Sequence, residues 1–177
     1  MAADPYLGRR PGLVAEQVAA GLIVRSRREP TEWHLNDTAA LLWLLCNGQE
    51  RVTQIRSQVR RWYPQGGAHL DRDVIEGLTN LRTQRLIRSA ATRYPHRPLL
   101  RVAFCNFWPR FDRRDNYFVW MLAHRFDVIL VDPRADIPDV VFYSTHPAAE
   151  FDHLRLDRSR TRKILVARGG GLARWSE

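Results

Sequence analysis

The sequence predicts an α+β protein with two successive domains, at residues 1–90 and 99–177, joined by a linker at residues 91–98. The chain has 177 residues, which is enough for two small domains. Before residue 36, short apolar segments are separated by turn residues, as strands are. From residue 37 to residue 84, apolar residues recur at the spacing of helices. Beyond the linker, strand-like segments alternate with helical or irregular connections, which indicates a parallel sheet.

Residues 31–45 are the predicted centre of the first domain. They begin as a short strand, residues 31–35, in which apolar and polar residues alternate. Asn36 or Asp37 then caps a helix, because a short side-chain oxygen can accept hydrogen bonds from the free N–H groups of the first turn. Residues 41–45 are all apolar, and a helix that is apolar on nearly every side is a buried helix.

Other strands and helices are predicted on both sides of this centre, after a loose arm at residues 1–10. The other strands are predicted at residues 13–18, 22–27 and 86–87, and the other helices at residues 52–63 and 71–84. The three strands that precede the first helix are expected to pair as an antiparallel meander. Three small strands followed by three helices form a winged-helix-like arrangement.

The sequence of this region resembles the PqqD family over about residues 10–90. The resemblance is carried by residues 35–43 (LNDTAALLW), by the pair Asn47-Gly48, by residues 52–55 (VTQI) and by the late Leu78, Leu81, Leu86 and Ile87. That family contains the precursor-recognition elements of pathways that make and modify ribosomal peptides. The resemblance implies a module in which a leader peptide adds as a strand beside the third strand and lies against the third helix.

The residues that the resemblance implies for peptide binding lie on the third strand and the third helix. They are Thr31, Glu32, Trp33, His34, Leu35, Val74, Leu78, Leu81, Arg82 and Arg85. Arg82 and Arg85 suit an acidic leader, because guanidinium groups form charge-assisted and often forked contacts with carboxylates. Purely structural roles are open for the same residues: a half-buried strand position for Trp33, the core for the three apolar helix residues, and a solvated face for the arginines.

The second domain is predicted to be a small α/β, Rossmann-like half-domain. Its predicted strands are residues 100–104, 126–131, 140–144 and 163–167, and its helix is residues 117–124. The linker before it, ATRYPHRP at residues 91–98, has two prolines and no apolar period, so it is expected to be the most protease-sensitive internal segment.

Part of the second domain resembles the N-terminal half of family 10 glycosyltransferases, the α-1,3-fucosyltransferases. Residues 101–112, 116–118, 125–128 and 138–144 carry this resemblance. The family holds its sugar nucleotide mainly in a second lobe, and the chain is expected to lack that lobe. Where the family has a Gly-Glu-Asn segment, residues 167–171 read ARGGG, without a carboxylate. We therefore expect no catalytic or cofactor-binding residues, and no glycosyl transfer by the chain alone.

Cysteine usage and the N-terminus are typical of a cytoplasmic protein. Cys46 and Cys105 are far apart and fall in apolar segments, so they are predicted to be reduced core thiols. The six histidines have no metal-ligand spacing with them, and no metal site is predicted. Neither a signal peptide nor an apolar run long enough to cross a membrane is present.

Three functions from different classes fit these observations. The first is a protein that binds the leader of a precursor peptide and presents it to a peptide-modifying enzyme. The second is a glycosyltransferase component that is active only with a separate donor-binding partner, and the third is a winged-helix DNA-binding protein. The net charge of +9 suits acidic partners, but Asp71, Asp73 and Glu76 begin the third helix and disfavour DNA. The first function is the one we predict.

Overall fold

The computed structural model describes residues 4–26, 28–105, 107, 110–144 and 161–166. These residues form two compact units. The first unit contains the described residues up to Leu13 and residues 18–98. The second contains residues 14–17 and the described residues from Leu99 onwards. The division differs from the predicted domains in residues 14–17, which join the second unit although they lie early in the chain.

The first unit contains three α-helices among its described residues. They are α1 (Asp37–Leu45), α2 (Val52–Trp62) and α3 (Gly67–Thr83), with a single 3-10 turn at Pro64–Gly66 before α3. The Oδ1 atom of Asn36 accepts a hydrogen bond from Ala39 N at 2.9 Å, so Asn36 is the cap of α1. All three predicted helices are present, and α3 begins four residues earlier than its predicted start at residue 71.

The described residues before Leu99 form six strands. In order they are β1 (Tyr6–Arg9), β2 (Leu13–Val18), β3 (Gly21–Ser26), β4 (Glu32–Leu35), β5 (Asn47–Arg51) and β6 (Ile87–Ala90). β3 and β4 pair antiparallel, with Leu22 opposite Leu35 and Arg25 opposite Glu32. β1 lies between β5 and β6 and is antiparallel to both.

The prediction of a loose arm at residues 1–10 is wrong for its described residues. Tyr6–Arg9 is the central strand of the β5–β1–β6 sheet. Asp4 caps α2, because its carboxylate accepts hydrogen bonds from Thr53 N at 3.1 Å and from Thr53 Oγ1 at 2.6 Å. Leu7 is 3% exposed. A short segment with few apolar residues is thus held by its neighbours rather than by its own propensity.

β2 also pairs with a strand outside the predicted antiparallel meander. Val14, Ala15 and Glu16 pair in parallel with residues 128–130. Leu13, Val14 and Ala15 are all buried. A continuous buried run, rather than an alternating one, is typical of a strand in a parallel sheet, which explains why this strand serves the second unit.

The core of the first unit is centred on α1, as the sequence predicted. Leu42 and Trp43 of α1 are each 1% exposed, and Ile55 and Leu86 are fully buried against this core. The guanidinium of Arg9 lies 5.4 Å from the centre of the Trp43 ring and donates a hydrogen bond to Leu44 O at 2.7 Å. An arginine that is itself buried thereby contacts the aromatic face and a carbonyl of the central helix.

The segment predicted as a linker is attached to the first unit by Tyr94. Tyr94 N donates to Gly48 O at 3.0 Å, and Gln49 Nε2 donates to Tyr94 O at 2.7 Å. A Cβ atom on Gly8 or Gly48 would lie 2.7 Å from an atom of the Tyr94 side chain, so both glycines make room for this residue. The protease sensitivity of the segment remains a prediction, but Tyr94 divides it into two shorter exposed stretches.

The second unit is built on parallel strands. Its strands are β7 (Leu99–Cys105), β8 (Asp127–Leu130), β9 (Val140–Ser144) and β10 (Arg162–Val166), and its one described helix is α4 (Tyr117–Leu122). Within this unit the order is β10, β9, β7, β8 and then residues 14–16 of β2, with every neighbouring pair parallel. Its core contains Val102, Phe104, Val119, Val128 and Phe142.

Both cysteines are buried and unbridged. Cys46 is fully buried and Cys105 is 8% exposed. Burial raises the pKa of the Cys46 thiol to about 12 and also raises the pKa of Cys105. Because the thiolate is the reactive form, both thiols are core groups rather than nucleophiles.

The C-terminal end of α3 contains a strained residue. Leu86 N donates to Leu81 O and Arg85 N donates to Arg82 O, both at 2.9 Å, which is the Schellman pattern. Arg85 has a φ of 57°, in the left-handed region that favours glycine at this position.

Replacing Arg85 by glycine is therefore expected to raise the free energy of unfolding by about 1 kcal/mol, because the steric cost of a side chain in this conformation is removed. The measurement is urea denaturation of the full chain. Gln84→Gly is the matched control, since Gln84 has a φ of −75° and a glycine there only adds chain entropy. A loss of stability in Arg85→Gly would show that the arginine side chain stabilises the turn by more than its strain costs.

Candidate peptide-binding site

A groove in the first unit lies between β4, the start of α1 and one face of α3. Its volume is about 420 Å³. It is lined by His34, Leu35, Asn36, Thr38, Ala39, Leu42, Asp73, Glu76, Gly77, Asn80, Leu81 and Gln84. A strand, a helix N-terminus and a long helix thus form one concave surface.

The backbone of β4 provides one wall of this groove. β4 pairs with β3 along one edge, and no other strand in the described part of the chain pairs with its second edge. In an antiparallel pair, alternate residues direct their N–H and C=O groups away from the partner strand. The open edge of β4 therefore presents unpaired backbone groups, which an extended peptide can satisfy by adding as a further strand.

The side chains of β4 alternate between the core and solvent. Leu35 is buried and Trp33 is half-buried, whereas Glu32 and His34 are exposed. Glu32 forms an ion pair with Arg25 of the neighbouring strand and also contacts His34, with 2.8 Å between His34 Nε2 and Glu32 Oε1. The core-facing residues fix the register of β4 against β3, and the edge keeps a defined position beside α3.

The opposite wall is a single stripe of α3. Asp73, Glu76, Asn80 and Gln84 follow one another at intervals of three or four residues, so they lie on one face of the helix. Gly77, which directly follows Glu76, lies on the same face. This stripe carries two carboxylates in its first half and two amides in its second half. The exposed polar side chains are Asp73, Glu76, Asn80 and Gln84, and they can contact the side chains of a peptide held at the strand edge.

Gly77 sets how closely α3 approaches α1. A Cβ atom at this position would lie 2.5 Å from Cδ1 of Leu42. Glycine in the middle of a helix lowers helix stability by about 1 kcal/mol relative to alanine. The close packing of α3 against α1 explains why a glycine is nevertheless present here. The contact brings Leu42 to the floor of the groove.

The structure places the predicted site residues in three different environments. His34, Leu35 and Leu81 line the groove, and Trp33 lies on the same strand. Thr31 directly precedes β4 and Glu32 is its first residue, and both are exposed. Val74, Leu78 and Leu81 are 4%, 5% and 3% exposed. The first two therefore serve the core, and of the three only Leu81 also lines the groove.

The two predicted arginines do not line the groove. Arg82 follows Asp73 by nine residues, which is about two and a half helical turns, so it projects from the side of α3 opposite the stripe. Arg85 lies beyond the end of the helix, near Glu29. A hydrogen bond from Arg10 lowers the pKa of Glu29, and the charges of Arg10 and Arg85 act in the same direction.

Sequence reasoning missed most of the polar lining. Asn36 was identified as a candidate cap, and Asp73 and Glu76 as acids at a helix start, but none of the three as a groove residue. The signal that could have found them is the polar spacing of Asp73, Glu76, Asn80 and Gln84 beside the apolar stripe of the same helix. Thr38 and Ala39 carry no such signal, because only the fold brings the start of α1 to the groove.

The groove lies within the segment that matches a known family. Residues 27–87 match the model of the family described as Coenzyme PQQ synthesis protein D (PqqD). No curated protein matches the chain, and no solved structure matches it. The matched segment contains β4, all three helices and every residue that lines the groove. The resemblance of the second domain to family 10 glycosyltransferases receives no support from these comparisons.

Neither a metal-binding cluster nor a membrane-spanning helix is found among the residues that the structure describes. Among the residues that the structure describes, no three His, Cys, Asp or Glu side chains cluster as a metal site requires. No helix in that same part of the chain is long and apolar enough to cross a membrane.

Proposed function

We propose that this protein binds the leader region of a ribosomally synthesised precursor peptide and presents it to a peptide-modifying enzyme. The observation that carries the proposal is the open edge of β4 beside a groove, inside the segment that matches PqqD. Peptide addition to a strand edge gains affinity from main-chain hydrogen bonds and selectivity from the side chains that flank it. The edge and the α3 stripe supply these two components.

The binding residues we propose are those that line this groove or form its edge. Thr31 to Leu35 supply the backbone edge, whose hydrogen bonds to an added strand do not depend on the side chains of the leader. Asn80 and Gln84 supply amides that can donate and accept hydrogen bonds. Of the residues expected from sequence, Val74 and Leu78 support this surface from the core, while Arg82 and Arg85 lie outside the groove lining.

A separate proposal concerns the fold of the second unit. Parallel strands in the order β10, β9, β7, β8, with α4 between β7 and β8, support a Rossmann-like half-domain. We assign it no reaction. In the proposed function, the first unit carries the leader, and the modifying chemistry belongs to the partner enzyme.

The proposal is tested by blocking the groove without disturbing the core. Asn80 is exposed and lies in the stripe, so Asn80→Trp is expected to fill the groove and leave the fold intact. Random peptides are displayed and selected for binding to the full chain, and the affinity of an enriched peptide is then measured by fluorescence polarisation. We expect Asn80→Trp to weaken binding by tenfold or more, about 1.4 kcal/mol.

Arg82→Trp is the matched control, because it adds the same side chain to the opposite side of the same helix. It is expected to bind the selected peptide as the parent does. Equal binding by both tryptophan variants would place the binding surface outside the groove. If no peptide is enriched on the parent chain, peptide binding itself is contradicted.

A further inference from the structure

The charge of the groove is opposite to the charge of the protein. The chain has 28 Lys and Arg residues against 19 Asp and Glu residues, for a net charge of +9. None of the twelve described residues that line the groove is Lys or Arg, and two of them, Asp73 and Glu76, are acidic. His34 is the only other titratable residue of the lining. An acidic groove on a protein of net positive charge is complementary to a cationic partner.

Three other carboxylates of the first unit form ion pairs with arginines, whereas Asp73 and Glu76 form none within the described part of the chain. Asp71, in the same helix, contacts Arg56 at 2.9 Å and also pairs with Arg60. Glu29 pairs with Arg10 at 2.6 Å, and Glu32 pairs with Arg25. Asp73 and Glu76 are exposed, and within the described part of the chain they form no ion pair.

The spacing of the two acids suits one bound cation. Residues three apart on a helix lie on the same face, separated by about 4.5 Å along the axis. A single guanidinium or ammonium group above this face can therefore contact both carboxylates, and a guanidinium can form forked hydrogen bonds. Leu42 approaches α3 at the neighbouring Gly77. Lysine and arginine carry their cation on a long side chain, which can reach the acids while the peptide backbone stays at the strand edge.

The contacts at the C-terminal end of α3 indicate where Asp73 and Glu76 lie along the groove. Arg10 N donates to Leu86 O at 3.0 Å, and Arg10 pairs with Glu29. The C-terminal end of α3 therefore lies near the residues that precede β4. Asn36 and Thr38 line the same groove as Asp73 and Glu76, so we expect the first half of α3 to lie toward the C-terminal end of β4.

We infer that the peptide segment held in this groove carries a lysine or arginine that contacts Asp73 and Glu76, next to the C-terminal end of β4. The inference rests on the proposed function and specifies the chemistry of its ligand. The inferred peptide charge is opposite to that of the acidic leader that Arg82 and Arg85 suggested from sequence alone. An acidic leader would bring its carboxylates toward Asp73 and Glu76, and like charges in close contact weaken binding.

The test uses peptides selected on the full chain from a random displayed library. Enriched peptides are expected to share a lysine or arginine at one fixed position. For such a peptide, the double variant Asp73→Asn/Glu76→Gln is expected to bind about tenfold more weakly at about 0.1 M salt, and the difference is expected to shrink at about 1 M salt. Replacing the peptide cation by norleucine should remove the difference between parent and variant, because the cycle isolates the pair.

Glu50→Gln is the control for a general change of charge, since Glu50 lies outside the groove lining. It should bind the peptide as the parent does. Enriched peptides without a fixed cation, or peptides with a fixed acid whose binding Arg82→Gln weakens, would overturn this inference and leave the proposed function standing. Failure to enrich any peptide would overturn the proposed function itself, so the two failures are distinct.

Discussion

Replacing Trp43 by alanine is expected to lower the free energy of unfolding of the first unit by about 3–5 kcal/mol. Trp43 is 1% exposed and lies in the central helix. Truncating it removes a large buried ring and leaves a cavity, and the guanidinium of Arg9 loses the aromatic face that it contacts at 5.4 Å. The free energy of unfolding of a native domain is about 5–15 kcal/mol in total, so this one change is expected to remove a large share of it.

The matched control for this prediction is Trp43→Phe. The indole N–H of Trp43 is buried and has no hydrogen-bond partner among the described residues. Phenylalanine keeps an aromatic ring and removes the unpaired donor, whose burial is unfavourable, so it should cost much less than alanine. Hydrogen exchange of the α1–α3 amides in the full chain measures both variants. Equal losses for the two would show that the ring is not the source of the stability.

Gly21→Ala is the second change with a large expected effect. Gly21 begins β3 with a φ of 120°, and a Cβ atom there would lie 1.9 Å from Leu35 O. The obstructing atom is backbone, so no side-chain movement can relieve the clash. We expect a loss of about 3 kcal/mol or more from strain and from separation of β3 and β4. Because Leu35 is the last residue of β4, the groove should be distorted as well.

Gly12→Ala separates the cost of a positive φ from the cost of the clash with Leu35 O. Gly12 also has a positive φ, of 78°, but no atom lies within 4 Å of the position of its Cβ. It should therefore show only the backbone cost, about 1–2 kcal/mol. Urea denaturation of both variants is the measurement. If Gly21→Ala is no more destabilising than Gly12→Ala, close packing of β3 against the end of β4 is not what requires the glycine.

The helices of the first unit were the part of the fold that sequence predicted best. The apolar run of α1 and the apolar spacing of α2 and α3 are local signals that tertiary contacts reinforce. The observed α2, Val52–Trp62, differs from its predicted range by one residue. β9, Val140–Ser144, was predicted with its observed bounds, since a buried run of this length between turn signals is typical of a strand.

β1 and β5 could not be predicted from their own residues. YLGR and NGQER contain little apolar periodicity, and their strand conformation arises from pairing with each other across about 40 residues of sequence. The parallel pairing of β2 with β8 is more distant still, at more than 110 residues. Non-local pairing of this kind depends on the whole fold, so a local pattern cannot reveal it.

The binding role of the predicted site residues stays a prediction, and the structure brings only some of them to one groove. The strand edge and α3 are the elements that the resemblance implied, and the groove lies between them. Sequence alone could not decide which side of α3 faces that edge. The direction of a helix face depends on packing, here on Gly77 against Leu42, and this packing directs Asp73 and Glu76 toward the groove and Arg82 away from it.

Hydrogen exchange of β4 in the full chain tests the central claim most directly. The claim is that a peptide adds as a strand to the open edge of β4. Addition of a peptide enriched on the parent chain is predicted to slow the exchange of alternate amides in Glu32–Leu35, because those amides become donors to the added strand. Amides of the β5–β1–β6 sheet should exchange at unchanged rates. Unchanged exchange in β4 at saturating peptide, or slowing confined to that second sheet, would contradict the account.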